Sequence, residues 1–289
     1  MADSWNSRIL EFAWDQPAIT TDADGEWHSQ DTTVSFSATD DVSGVKELDY
    51  STDGGVTWDQ GDSVTIPAPA DHSNDGVHTV KVMATSHDGN TATTQFRVKI
   101  DTEQPVVTGQ GPFEEWMSGT QSFWFTASDV GSGVGGIFYT LDGGPPTLVG
   151  TDGMITVSGD GPHTITYWAT DNCVDLANQS DPLEGDVFID SVPPVVTTVN
   201  NVSVTHGKKA SFRYVVNDGL SPRCWVDIVI MKKGKVTRYV TVGAKSVKAA
   251  TQTFTWTCKL ARGSYTWRVL AYDMAGNQGL GKIKKLTVK

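Results

Sequence analysis

The chain has 289 residues, 38% of them hydrophobic, with 22 Lys and Arg against 34 Asp and Glu and a net charge of −12. No apolar stretch approaches the roughly 18 residues needed for a membrane helix, which excludes a helical membrane protein. The net charge hides a division: residues 1–103 carry −14, residues 104–192 contain no Lys or Arg and carry −12, and residues 193–289 carry +14. A switch this sharp predicts modules with different partners or different places in an assembly.

The opening Met1-Ala2-Asp3-Ser4-Trp5 has no basic segment followed by an apolar run, so no signal peptide is visible. The expectation is the mature or internal part of a longer secreted protein. Alternation then marks half-buried strands. Val34 and Phe36 share one face of the segment 33–38, a turn follows at Asp53-Gly54-Gly55, and a second strand is predicted over 78–84. Ile100-Asp101 closes this stretch, and Pro105 stiffens the link to the next.

At a spacing of 89 residues the pattern returns. Trp27 recurs as Trp116, Asp40 as Asp129, Ser43-Gly44-Val45 as Ser132-Gly133-Val134, and Ile100-Asp101 as Ile189-Asp190. Phe123 and Phe125 take the inward positions, Asp142-Gly143-Gly144 the turn, and 163–169 the later strand. A diverged third copy places Phe212, Tyr214 and Asp218 in register, with a turn at Lys233-Gly234 and a strand over 265–271. No segment shows a sustained helical stripe with caps. A period this long suits a whole sandwich domain of about 100 residues. The predicted fold is all-β: three β-sandwich domains, 1–103, 104–192 and 193–289, forming a semi-rigid, elongated rod through short links.

The run from Trp27-His28 through Ala38-Thr39-Asp40, Ser43-Gly44-Val45, Asp53-Gly54-Gly55 and Asp88-Gly89-Asn90 to Ile100-Asp101-Thr102 resembles the immunoglobulin-like repeats of bacterial secreted and cell-surface proteins. The second copy shares this likeness through Gly161-Pro162-His163-Thr164 and Ala169-Thr170-Asp171, and departs from it in an enlarged loop, 171–178. The third ends in Asp273-Met274-Ala275-Gly276-Asn277, similar to modules that close many surface proteins. The resemblance implies an immunoglobulin-like sandwich, an extracellular or cell-surface location, and a structural, adhesive or binding role. It also adds that cysteines at the places of Cys224 and Cys258 tend to occur together.

In such a sandwich the loops after the Phe-bearing strand and after the later strand lie at one end, beside the incoming link. Asp101, Asp129 and Asp171 are expected together there, with Asp175 near, and so are Asp190, Asp218 and Asp273; the first copy offers Asp40, Asp41 and Asp88. Two readings stand. Clustered carboxylates supply the oxygen ligands that Ca²⁺ requires, or each Asp caps its own turn.

Trp124 and Trp168 have outward parity and are candidates for sugar stacking or protein contact. Trp256 and Trp267 have core parity. The Lys- and Arg-rich last stretch, including Lys208, Lys209, Arg213, Lys248 and Lys285, suits an anionic cell-wall polymer or an acidic surface. No nucleic-acid motif accompanies it, and head-to-tail self-association through opposite charges is a further reading. Cys224 and Cys258 both have core parity, which leaves open a disulfide or two buried thiols; Cys173 in the enlarged loop is the odd one.

Catalytic motifs are lacking: no His-Glu-x-x-His, no Gly-x-Ser-x-Gly, no phosphate loop and no Cys-x-x-Cys occurs. His78 and His163 are equivalent repeat positions, which predicts a structural role. The isopeptide cross-link of some surface immunoglobulin-like domains needs a Lys, and 104–192 has none. The expected function is a non-catalytic spacer and binding rod. The alternatives are a carbohydrate-binding accessory module of a glycan-degrading enzyme and a subunit of a surface layer or filament.

Overall fold

A computed structural model describes residues 15–289; the reading of Met1–Trp5 and the side chain of Lys248 lie outside what it describes. Every regular element among the described residues is a strand. The first eight are β1 (Ala18–Thr21), β2 (Trp27–His28), β3 (Thr32–Thr39), β4 (Val45–Ser51), β5 (Asp59–Gln60), β6 (Ser63–Ile66), β7 (Gly76–Ser86) and β8 (Thr91–Ile100). They form a three-stranded sheet, β1-β3-β6, and a five-stranded one, β2-β8-β7-β4-β5. The next eight repeat the plan: β9 (Val106–Gln110), β10 (Trp116–Met117), β11 (Gln121–Ser128), β12 (Val134–Leu141), β13 (Thr147–Gly150), β14 (Asp152–Val157), β15 (Gly161–Asp171) and β16 (Leu183–Ile189). Their sheets are β14-β11-β9 and β10-β16-β15-β12-β13.

The last nine strands are β17 (Val195–Thr198), β18 (Val202–Val204), β19 (Lys209–Asn217), β20 (Arg223–Lys232), β21 (Lys235–Ser246), β22 (Lys248–Thr257), β23 (Gly263–Tyr272), β24 (Gln278–Leu280) and β25 (Lys284–Val288). Here the sheets are β17-β19-β22 and β18-β25-β23-β20-β21, with β24 on β23. The sheets therefore recur three times, as the 89-residue period predicts. The described residues divide into two compact units, one of 15–107, 127–137 and 168–181, the other of 108–126, 138–167 and 182–289. The middle stretch contributes to both.

Period-two alternation makes the sandwiches. In the first repeat Val34 and Phe36 from one sheet meet Val80, Val82, Phe96 and Val98 from the other in one buried cluster. In the third, Phe212 and Tyr214 share a cluster with Trp267 and Val269, the Phe212 and Trp267 rings meeting edge to face at 4.7 Å. Phe125 and Tyr167 meet in the second at 4.8 Å, with their rings tilted. Trp267 is fully buried, as its parity predicts, and Trp256 packs half-buried against the same cluster.

Turn chemistry sets the hairpins. Lys233 and Gly234 both take positive φ, 51° and 78°, between β20 and β21, the combination that a two-residue turn of this twist requires. After β4, Asp53 receives Ser51 Oγ (2.8 Å), Val56 N (2.9 Å) and Thr57 Oγ1 (2.6 Å). These bonds, that of Thr57 foremost, hold its carboxyl well below the usual aspartate range.

Each sheet pair also has one short parallel pairing. Trp27–His28 runs parallel to Lys99–Ile100, Trp116–Met117 to Phe188–Ile189, and Val202–Val204 to Leu286–Val288. The recurring tryptophans are thereby structural: Trp116 stacks on Phe188 at 5.2 Å, and Lys99 Nζ covers the Trp27 ring at 5.8 Å. His78 and His163 each bond the carbonyl four residues upstream, at Asn74 (2.8 Å) and Gly159 (3.1 Å), in keeping with a structural role.

Candidate functional site

The two short parallel strands β2 and β10 deliver the linker aspartates. Asp101 N donates to His28 O, and Asp190 N to Met117 O, both at 2.9 Å. Each carboxylate then turns inward, and both residues are buried. The chain thus enters the next repeat with an acidic group fixed from both sides.

At the first joint, Asp101 Oδ2 accepts Ser132 N (2.5 Å). Asp129 Oδ1 accepts Gly131 N (3.1 Å) and Gly133 N (2.8 Å). Asp171 Oδ1 accepts Cys173 N (3.2 Å) and Asn178 N (2.8 Å), and its Oδ2 accepts Asn178 Nδ2 (2.6 Å). The same Asn178 amide donates to Asp101 O (2.9 Å). Ligand atoms of Asp101, Asp171 and Cys173 lie within 4.8 Å of one another. Gly131 makes this packing possible, because a Cβ there would stand 2.3–2.5 Å from the Asp101 carboxylate.

At the second joint, Asp190 Oδ2 accepts Ser221 Oγ (2.7 Å). Asp218 Oδ1 accepts Leu220 N and Ser221 N, both at 2.9 Å. Asp273 accepts Asn277 N and Asn277 Nδ2, both at 2.8 Å. Asn277 Nδ2 also donates to Asp190 O (2.6 Å). Oxygens of Asp190, Asp218 and Asp273 lie within 4.8 Å of one another. The structure therefore brings together the predicted trio at the second joint, whereas at the first Cys173 stands with Asp101 and Asp171 in place of Asp129, which acts on them only as a nearby charge.

Asp40, Asp129 and Asp218 each cap their turn through Oδ1 alone. The second oxygen, Oδ2, of Asp40, Asp129 and Asp218 is buried with no hydrogen-bond partner. Among the described residues no Lys or Arg forms an ion pair with a carboxylate. Burial raises the pKa of Asp129 and of Asp273; Asp101 and Asp171 add to the first, Asp190 and Asp218 to the second. Like charges held close make ionisation costly unless something positive offsets them.

The first repeat is built differently. Ser86 stands where Asp171 and Asp273 stand, and takes Asn90 N on its hydroxyl (3.0 Å). Asp88 is satisfied by Ser86 Oγ, by Ser43 Oγ (3.1 Å) and by Asn90 Nδ2 (3.1 Å), and Asp41 is exposed. Hydrogen bonds from Ser86 and Ser43 lower the Asp88 pKa, and those led by Ser43 N lower that of Asp40. Asp40, Asp41 and Asp88 do not form such a trio.

Sequence reasoning placed the asparagines in turns and missed their second role. Asn90 Nδ2 reaches Asp15 O (2.9 Å) just as Asn178 and Asn277 reach Asp101 O and Asp190 O. The signal was present, since each Asn ends the Asp-containing turn in all three copies. The enlarged loop also has a task. Val174 N bonds Trp27 O (2.9 Å), and Asp175 accepts Ser29 N (2.9 Å) and Gln30 N (3.1 Å), strapping the loop to the end of β2.

Two further expectations are corrected. A Cys224–Cys258 disulfide is excluded by height along the sandwich, although both thiols are fully buried and free. Cys224 lies at the joint end, where Trp225 faces Tyr272. Cys258 follows Thr257, which faces Lys209 at the far end of β19. The nine residues of β19 span about 26 Å from first to last at roughly 3.3 Å per step, and a bridge needs Cα atoms about 4.4–6.8 Å apart. Cys173 is also buried and free. Burial pushes the thiols of Cys173 and Cys224 up to about 12, so neither is a ready thiolate. The second correction concerns Trp168, which is half-buried and not an exposed platform. Trp124 is 56% exposed, beside Met154 on the neighbouring strand.

No family model matches the chain, and no curated protein matches it. Among solved structures it is similar to the tetra-tandem repeat in the extending region of a large adhesion protein, at 19% identity and a TM-score of 0.34, over 95% of this chain and 74% of that one. It is also similar to the D00-D0 domain of Intimin, at 10% identity and a TM-score of 0.32, over 60% of this chain and 100% of that one. A third is the FN1-FN3 segment of chicken CNTN1, at 11% identity and a TM-score of 0.34, over 95% and 99%. No helix of the described residues is long and apolar enough to cross a membrane.

Proposed function

We propose that the chain is a non-catalytic structural and adhesive module of a secreted or cell-surface bacterial protein. Its domains are 1–103, 104–192 and 193–289, and its joints are stiffened by a hard divalent cation, calcium first. The observation that supports this reading is the joint itself. A linker aspartate is pinned by backbone on one side and by an asparagine on the other, inside a trio of carboxylates with no basic partner. The trio of Asp190, Asp218 and Asp273 fits a hard cation better than its counterpart, because all its donors are oxygens and Asp218 Oδ2 is orphaned. Calcium would supply the missing positive charge there. The protein holds the three carboxylates in place, excludes water from them and fixes the entry of the next repeat.

Calorimetric melting in calcium and in chelator tests this. Calcium at about a hundredfold over its dissociation constant adds about 2.7 kcal/mol to the folded state, a rise of several degrees that Asp218→Asn abolishes. An unchanged melting temperature would remove the cation from the reading. A sugar-binding accessory role is the second reading, supported by the exposed Trp124. Glycan binding lost on Trp124→Ala would favour it.

A further inference from the structure

The outward face of the large sheet in residues 193–289 departs from the pattern of the first repeat. There, the outward positions of β4 and β7 hold Glu47 and Asp49, and Thr79, Lys81, Met83 and Thr85. In the last repeat the corresponding strands add large apolar side chains to an outward face that also holds Asp227, Thr266 and Arg268. β20 turns Val226, Ile228 and Ile230 to the core and Trp225, Asp227, Val229 and Met231 outward. Val229, Met231 and Leu270 form a buried cluster separate from the core, with Tyr272 against it.

The register extends this face. Tyr239 stands beside Val229, Trp225 beside Tyr272, and Leu280 beside Leu270. Trp225 is 51% and Tyr239 58% exposed. Exposed Trp and Tyr around a desolvated apolar centre are what protein interfaces concentrate, whereas a free sheet face is polar. Val229, Met231 and Leu270 are already covered within the chain, and what the face leaves open is Trp225, Tyr239 and Leu280.

Charge identifies the occupant. Residues 193–289 hold 17 Lys and Arg against 3 Asp and Glu. Of those three, Asp218 and Asp273 lie in the joint and Asp227 sits on the face itself, beside Leu270, with a buried Oδ1 that has no hydrogen-bond partner; none of the described Lys or Arg forms an ion pair with a carboxylate. Arg268 and Lys285 sit on the face itself, beside Val229 and Thr266. Residues 104–192 are the complement: 12 Asp and Glu, no Lys or Arg, and an exposed Trp124–Met154 pair one row from Asp152. We propose that the outward face of β20, β21 and β23 docks the acidic repeat, 104–192, of a second copy of this chain. The two patches differ, so the contact is heterologous and runs head to tail from copy to copy.

Sedimentation of the full chain tests this. The wild type forms a concentration-dependent series whose association weakens about tenfold between roughly 0.05 and 0.5 M salt. Trp225→Ala with Tyr239→Ser, at exposed positions, gives a monomer with unchanged melting, and so does Trp124→Ala. Mixed in equal amounts, the two variants pair one to one and go no further, because each lacks one patch. A wild type that stays monomeric at its highest soluble concentration in low salt overturns the proposal. So does either variant assembling like the wild type. A monomeric wild type that binds a glycan through Trp225 would assign the face to sugar and overturn it equally.

Discussion

The joints at Asp101 and Asp190 share a frame and are finished differently. Both use a linker carboxylate, a turn aspartate, a strand-end aspartate and an asparagine on the linker carbonyl. At the first, Asn178 lies seven residues after Asp171, and the extra length carries Cys173 and the strap of Asp175. At the second, Asn277 lies four residues after Asp273, and Ser221 supplies a hydroxyl to Asp190. The difference teaches which parts the joint requires. Loop length, sulfur and hydroxyl vary, while the asparagine bridge and the buried acids do not.

The sharpest way to break the comparison is Asn277→Ala. It removes a bond to a carboxylate and one to the linker carbonyl, and is expected to cost about 3 kcal/mol in urea unfolding. Asn178→Ala is expected to cost as much. A much smaller loss there would mean that the longer loop, not the amide, holds the first joint. Next comes Gly131→Ala, which drives a Cβ against the Asp101 carboxylate; a loss of about 2 kcal/mol is expected by the same measurement. Leu220 occupies the corresponding place at the second joint, so Leu220→Ala is expected to be far milder. Smaller still is Asp175→Ala, which unties the strap and is expected to cost about 1 kcal/mol. Faster amide exchange confined to Ser29, Gln30 and Val174 would locate the effect.

The smallest effect is a pH dependence. Asp129 and Asp273 have raised pKa values in the folded protein. Their contribution is therefore fully present below the unfolded aspartate value and is lost as pH rises through the raised one. In chelator the melting temperature is expected to rise as pH falls from neutrality toward that value, and calcium is expected to flatten the slope. Asp53, whose pKa is lowered, acts oppositely and only in more acid solution.

The legible and illegible parts of this molecule divide by what alternation encodes. Val34, Phe36, Phe212 and Trp267 were assigned to the core because parity states which face a side chain takes, and the structure buries them. The aspartate trio at the second joint was legible because an 89-residue period superimposes loops far apart in sequence. Parity says nothing of height along a sandwich, so Cys224 and Cys258 looked like partners and lie at opposite ends. Nor does it say what stands on the next strand, so Trp168 looked exposed and is half-buried. Trp225 and Tyr239 went unnoticed because the third copy diverges from the repeat where they occur.

The parallel pairings of β2, β10 and β18 with the last strand of each repeat bear on tension. A chain pulled from its two ends draws the members of a parallel pair in opposite directions along their length. The bonds between Trp27–His28 and Lys99–Ile100, and their counterparts, then share the load at once instead of parting one by one as an antiparallel hairpin opened at its end would. Past the short first strand of each repeat, rupture requires that these bonds fail together. A pairing of this kind resists shear along the chain more than the hairpins beside it do.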